Sequence, residues 1–448
     1  MNLKKIYFLG IGGIGMSAIA RYFHSRGVEV FGYDRTPTEL TEELLAEGMR
    51  IHFDDDVRRI PPGIDLVVLT PAIPPDHREW AYLRERGYLI KKRAEVLGLI
   101  SRQQKSVAIA GTHGKTTTSC ITTHLLRTAG LDCSAFLGGI ALDFGSNFVD
   151  GKGDWVVLEA DEYDRSFLQL SPDIAVILSM DPDHLDIYGD AQSVLDTGYL
   201  AFAKKLKPYG KLLVNEKFAH ELEGQDLLTF GIEAGDWQAH KVRAEQGYMV
   251  FDVVGPDQKI TGIRFTQPGR HNVLNATAAI AVAGQLGVSA DAIRAAMLSF
   301  RGIKRRFEFL VRSEQVTYID DYAHHPTELE AAISAAREFF PGRTITGVFQ
   351  PHLFTRTRDF AAGFAKALDL LDQVLLLDIY PARELPIPGV TADTIFNLMK
   401  NPKKLRVTKL TLLDKLRGLD LQVLLTLGAG DIDTFREPIR AMLTQTTP

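Results

Sequence analysis

Short apolar runs alternate with helix-length stretches along almost the whole chain. KKIYFLG, VEVFGYD and DLVVLTPAI read as strands near the amino terminus, with MSAIARYFHSRG as the helix between the first two. SVAIAG opens a second series, continued by DWVVLEADE and DIAVILSMDPDH. VTYIDDYAHHP, TITGVFQPH, QVLLLDIYPARE and LQVLLTLGAGDI form a third. Near-continuous apolar strands separated by helical patterns predict α/β layers on mostly parallel sheets. Between about residues 209 and 268 the pieces shorten, and GKLLVN, GYMVFDVV and KITGIRF predict an antiparallel patch added to the middle series. Helical patterns return in NVLNATAAIAVAGQLG and SADAIRAAMLSF before the third series begins. The expected architecture is three consecutive α/β domains over residues 1–103, 104–304 and 305–448.

Composition narrows the class without naming it. A chain of 448 residues with 45% hydrophobic and 24% charged positions is ordinary for a globular protein of several domains. Its net charge of -5 leaves no basic footprint for nucleic acid. Cys120 and Cys133 are too few for a disulfide framework, which fits a reducing, cytoplasmic setting. The start, MNLKKIYFLGIGGIGMSAIA, imitates a secretory signal, but four glycines within six residues suit a strand-to-helix turn better. No apolar run approaches the ~18 residues of a membrane span, so no membrane insertion is expected.

Chemistry concentrates where strands end. GIGGIGMS follows the first strand and opens a helix; Gly10, Gly12 and Gly15 fit G-x-G-x-x-G, and Asp34 stands nineteen residues beyond Gly15. Such glycines let backbone amides approach a pyrophosphate, while the acid at the end of the second strand reaches a ribose hydroxyl. GTHGKTTT is shorter than the general phosphate loop, which would need glycine where Ile109 stands. It still sets Lys115 at a glycine-lined helix start, where only a bound anion offsets a second positive charge. Thr116 is then suited to ligate Mg²⁺.

Two neighbouring strand ends carry acids, Glu159, Asp161, Glu162 and Asp164 in one, Asp181, Asp183, His184 and Asp186 in the other. Acids beside a triphosphate loop call for a cation between them, and Mg²⁺ prefers oxygen ligands. The last series ends its strands in DDYAHHP, FQPHLFTRTRDF and GAGD, with Arg356 and Arg358 suited to a carboxylate or phosphate. Zinc is not expected, since neither HExxH nor CxxC occurs. The cysteines read as packing residues.

Taken in order, GTHGKTTT, EADEYDRSF, MDPDHLDIYGD, GRHNVLNATAA, RRFE, DDYAHHPTE, FQPHLFTRTRDF and GAGDI resemble the Mur ligases, from about residue 6 to residue 433. The resemblance implies a Rossmann-like first domain, a central P-loop ATPase domain bearing the β patch, and a Rossmann-like third domain. It implies ATP-dependent amide synthesis in peptidoglycan assembly: the lactoyl carboxylate of UDP-N-acetylmuramate is phosphorylated, and the amine of L-alanine attacks the acyl phosphate. Two nucleotides then account for two glycine loops. The UDP-sugar would lie on Gly10, Gly12, Gly13, Ile14, Gly15, Met16, Ser17 and Asp34, with Thr70, Ala72 and Ile73 of TPAIP. ATP would lie on Gly111, Thr112, His113, Gly114, Lys115, Thr116 and Thr117. Asn272 and Asn275 would meet adenine with His271 beside them, and Asp321 the ribose. Thr116, Glu159 and His184 would hold Mg²⁺, and Arg306 would stabilise the transferring phosphoryl group.

Tyr322, His324 and Arg356 would hold L-alanine, and His113, His184 and His324 stand as alternative bases for its amine. Leu353 replaces an arginine that many members carry, and Lys204 lies near the place where later members carry a carbamoylated lysine. Two other readings remain: a recycling ligase that adds a tripeptide to the same UDP-sugar, and a dinucleotide-dependent oxidoreductase using the first loop alone. The oxidoreductase reading leaves Lys115, Thr116 and the acidic strand ends without work.

Overall fold

The structure, a computed structural model, describes residues 3–181, 185–382 and 384–445. Its strands form three sheets. The first contains β1 (Lys5–Leu9), β2 (Glu29–Tyr33), β3 (Arg50–His52), β4 (Leu66–Leu69) and β5 (Ile90–Lys92), in the order β3-β2-β1-β4-β5. Every pairing in it is parallel. Side chains alternate along β1: Ile6 and Phe8 enter one apolar cluster, Tyr7 and Leu9 the other. A sheet buried on both faces needs this two-sided apolar reading, which is why KKIYFLG is nearly continuous.

The second sheet contains β6 (Lys105–Ala110), β7 (Ser134–Ala141), β8 (Ser146–Val149), β9 (Trp155–Glu159), β10 (Ile174–Ile177), β11 (Lys211–Asn215), β12 (Leu227–Ile232), β13 (Trp237–Glu245), β14 (Tyr248–Val254) and β15 (Lys259–Phe265). Its order is β15-β14-β13-β12-β11-β10-β6-β9-β7-β8. Here one expectation is corrected. GKLLVN forms β11, which pairs parallel with β10 and with β12. Its run of four buried residues is that of an interior parallel strand, so any patch of different character starts only at β13.

The third sheet contains β16 (Glu308–Arg312), β17 (Thr317–Asp321), β18 (Ile345–Phe349), β19 (Gln373–Leu376), β20 (Lys404–Arg406) and β21 (Val423–Leu427), in the order β16-β17-β21-β18-β19-β20. Only β16 runs antiparallel to its neighbour. The chain divides into two compact units. One comprises residues 1–241, 251–263 and 274–301, the other residues 242–250, 264–273 and 302–448. The first two sheets share an apolar cluster that joins Phe8, Ile19 and Leu97 to Ala108, Val156 and Phe167. That shared cluster is the physical reason the first sheet and most of the second fall in one unit, while residues 242–250, in β13 and β14, group with the other. Among the described residues no helix is long and apolar enough to cross a membrane. Cys120 and Cys133 are both buried.

Candidate functional site

β1 ends in a turn that only glycine adopts easily. Gly10 has φ 84, and a Cβ there would lie 2.5 Å from Thr70 Cγ2. Gly10 N and Ile11 N both donate to Tyr33 O, at 2.8 and 3.0 Å. Gly12 N donates to Asp34 Oδ2 at 2.7 Å, so the acid expected at a ribose also shapes the loop. The helix Ile14–Ser25 follows with Gly13 as its N-cap and no side-chain cap, leaving its first amides open to an anion. Thr70, Ala72 and Ile73 lie in the turn after β4, and the Thr70 and Ile73 side chains stand against Gly10. Met16 and Ser17 differ from the rest: both side chains are buried, and Ser17 Oγ donates to Ile14 O and accepts from Asn147 Nδ2.

Beneath that loop lies a polar cluster that no motif announced. The Tyr7 hydroxyl is 2.5 Å from Glu79 Oε2 and 2.9 Å from His52 Nε2. His52 Nδ1 faces Asp54 O at 2.9 Å, and Asp56 N donates to Glu79 Oε1 at 3.1 Å. Glu79 is fully buried. Burial pushes its carboxyl up to about 7, and burial holds His52 below the usual imidazole range. The cluster touches the loop through Asp34, whose N–H donates to His52 O at 3.1 Å.

The second loop leaves β6 through Gly111 at φ 140 and enters the helix Lys115–Thr128 through Gly114 at φ 82. Any Cβ at Gly111 would lie 2.9 Å from Leu178 Cβ, and one at Gly114 would lie 2.5 Å from Asn275 Oδ1. No side chain caps this helix either. Lys115 Nζ donates to Gly111 O at 2.8 Å and to Glu162 at 2.6 and 2.9 Å, with the Glu162 side chain only 2% exposed. Thr112 Oγ1 donates to Asp181 O at 2.8 Å and lies 3.1 Å from the buried Tyr199 hydroxyl; His113 N donates to Ser179 Oγ at 3.0 Å. Glu162, Ser179 and Tyr199 were not assigned roles by sequence. Glu162 stood in the acidic cluster, whereas Tyr199 carries no local signal.

Thr116 is buried, and Glu159 accepts from Gly138 N at 3.0 Å across β9 and β7. A hydroxyl and a carboxylate form an all-oxygen donor set, which suits Mg²⁺. His184 and Asp183 lie outside the described residues. Lys204 is exposed at the end of the helix Leu200–Ala203.

In the second unit, β17 delivers Asp321, Tyr322 and His324. Asp321 accepts from Phe307 N at 2.7 Å and Ala323 N at 2.8 Å, and burial pushes its carboxyl up to about 6. His324 Nδ1 lies 3.0 Å from Tyr322 O, and Glu328 Oε2 accepts from the amides of His324 and His325, which fixes the start of the helix Pro326–Phe339. Tyr322 and His324 rings stand 5.2 Å apart edge to face. Arg356 Nη1 approaches His352 Nδ1 at 3.1 Å. Burial, with the Arg356 charge, pushes His352 down to about 4, so it stays a neutral acceptor. Leu353 occupies φ 72, held by Leu353 N donating to Tyr380 O at 2.9 Å. Arg306 is exposed, and its charge lowers the Asp321 carboxyl against the effect of burial. Arg358 pairs with Asp359 on the surface. Asn272 Nδ2 donates to Pro268 O at 2.8 Å, and His271 is exposed at the start of the helix Arg270–Gln285.

Three family models match in chain order. The Mur ligase family catalytic domain covers residues 5–105, the Mur ligase middle domain 109–283, and the Mur ligase glutamate ligase domain 305–430. The UDP-N-acetylmuramate–L-alanine ligase of Cytophaga hutchinsonii is 48% identical, over 99% of this chain and 98% of its own. The crystal structure of UDP-N-acetylmuramate-alanine ligase from Thermotoga maritima superposes with a TM-score of 0.84 at 30% identity, covering 99% of this chain and 100% of that one. A murein peptide ligase from Psychrobacter arcticus shares the fold, with a TM-score of 0.70 at 22% identity over 99% of this chain and 100% of its own.

Proposed function

This chain belongs to the Mur ligase family, and from that premise we propose that it joins L-alanine to the lactoyl carboxylate of UDP-N-acetylmuramate with cleavage of ATP, a cytoplasmic step of peptidoglycan precursor synthesis. The observation that carries this reading is the pair of uncapped, glycine-lined helix starts, only one of which holds a lysine. A diphosphate handle needs amides; a phosphoryl group that must be transferred also needs a mobile positive charge.

The open amides after Gly13 take the UDP diphosphate, and Asp34 holds the loop in shape for it. The amides of Lys115, Thr116 and Thr117 take the ATP phosphates. Lys115 exchanges Glu162 for the terminal phosphates, moving from one set of anionic oxygens to another. Thr116 and Glu159 would hold Mg²⁺, which would neutralise phosphate charge. Arg306 offsets charge on the γ-phosphoryl oxygens as they pass to the carboxylate. The amine of L-alanine then attacks the acyl carbon, the C–O bond to phosphate breaks, and the amine loses a proton. Tyr322, His324 and Arg356 orient that amine and its carboxylate. His324, kept below the usual imidazole range chiefly by burial, is a neutral base at pH 7.

The recycling alternative is separated by the donor. Product analysis with L-alanine, L-serine, glycine and the tripeptide as competing amines is expected to give the L-alanine adduct. A preference for the tripeptide would move the chain to the recycling reaction.

A further inference from the structure

Arg305 takes no part in the site as assigned, yet it ties three carboxyl-terminal motifs together. Its backbone sits at φ 64, and Phe307 sits at φ 45, so the turn displaying Arg306 is left-handed on both sides. That region is unfavourable for any residue with a Cβ, whereas glycine enters it freely. An arginine held there has to contribute through its side chain.

It does so in three directions. Arg305 Nη2 donates to Gly428 O of GAGD at 2.6 Å, Nε lies 3.3 Å from Asp320 Oδ2, and Nη1 lies 3.3 Å from Asp433 Oδ2. Its guanidinium carbon stands 5.0 Å from the Tyr322 ring centroid. The main chain completes the knot: Arg305 N donates to Glu308 Oε2 at 2.7 Å, and Tyr322 N donates to Arg305 O at 2.7 Å. Asp320 is fully buried, and Arg436 Nε pairs with the same oxygen, Oδ2, at 3.3 Å.

We infer that Arg305 is a positioning residue that locks Arg306 and Tyr322 into one rigid group, so that phosphoryl stabilisation and amine orientation are set together. The inference rests on the proposed reaction. A planar fork can satisfy three acceptors at fixed angles, which an ammonium cannot.

The test uses the full chain as R305G, R305K and D433N. Glycine removes the guanidinium while relieving the left-handed strain, so R305G separates the two. The expected result for R305G is kcat lower by roughly 10- to 100-fold and KM for L-alanine higher by about 10-fold, with KM for UDP-N-acetylmuramate unchanged within about twofold. R305K is expected to behave like R305G rather than like wild type. D433N, at a half-exposed carboxylate, keeps the fold out of question and should move the same two constants by about threefold. Wild-type kcat and L-alanine KM in R305G, or equal rises in both KM values, would overturn the inference. A wild-type protein that forms no product with the full substrate set would instead overturn the reaction itself.

Discussion

Replacing Glu79 with glutamine tests how charge is managed beneath the first loop. The carboxyl is fully buried and rises from an ordinary 4.5 to about 7 in the fold. A carboxyl whose folded value is raised contributes most below its unfolded value, and that contribution is lost as pH climbs through the folded value. The window is therefore pH 4.5 to 7. A shift of that size corresponds to ~3 kcal/mol at 1.36 kcal/mol per pH unit, all of it lost above pH 7.

Tyr7 O–H donates to Glu79 Oε2, Asp56 N donates to Glu79 Oε1, and His52 Nε2 lies 2.9 Å from the Tyr7 hydroxyl. Glutamine keeps a carbonyl oxygen as acceptor in nearly the same shape and cannot ionise. Urea unfolding of wild type and E79Q between pH 5 and pH 8, with hydrogen exchange in β1 to read the first sheet separately, measures the difference. We expect E79Q to be more stable by ~1 kcal/mol at pH 5, where the unfolded carboxyl is already mostly ionised, and by ~3 kcal/mol at pH 8. Titration of His77 is common to both proteins and cancels in the difference, whereas His52, 3.5 Å from Glu79 Oε1, titrates with it as one pair. A difference that stays flat with pH, or a glutamine variant weaker at pH 8, would refute the reasoning.

Lys115→Ala is expected to cut turnover by ~10³-fold or more while calorimetry finds UDP-N-acetylmuramate affinity within a few-fold, because the loops serve different nucleotides. Asp34→Ala removes the acceptor of Gly12 N and should weaken UDP-sugar binding by about 10-fold with the KM for ATP unmoved. Gly114→Ala forces a Cβ against Asn275 Oδ1 at φ 82, and thermal melting should show a loss of ~2 kcal/mol or more together with weaker ATP binding. Since His352 titrates at about 4, the H352N variant should keep the wild-type shape of the pH–rate profile between pH 6 and pH 9.

What the sequence displayed, and what it hid, follows from the range of each interaction. Both glycine loops were legible because strand, turn and helix start lie within a dozen residues, and the glycines at 10, 111 and 114 carry the positive φ that the turns require. The partner of Lys115 was visible only as one acid among four, since choosing Glu162 depends on how the turn after β9 folds back. Tyr199 reaches Thr112 from eighty-seven residues away and leaves no pattern. GKLLVN looked like a short peripheral piece, but a strand's direction is set by its neighbours rather than by its length. Residues 242–250 and 264–273 group with the carboxyl-terminal unit, which no composition change announces. The Tyr7, His52 and Glu79 cluster draws on three separate elements and was equally silent. Arg305 was hidden by its own motif, in which the neighbouring Arg306 took the obvious role.

Phosphate release in the full mixture bears on the central claim most directly. With ATP, Mg²⁺, UDP-N-acetylmuramate and L-alanine together, the account predicts steady release matched one for one by the alanyl adduct, and no release when the UDP-sugar is left out. Release that continues at the same rate without the UDP-sugar, or none with all four present, would contradict it.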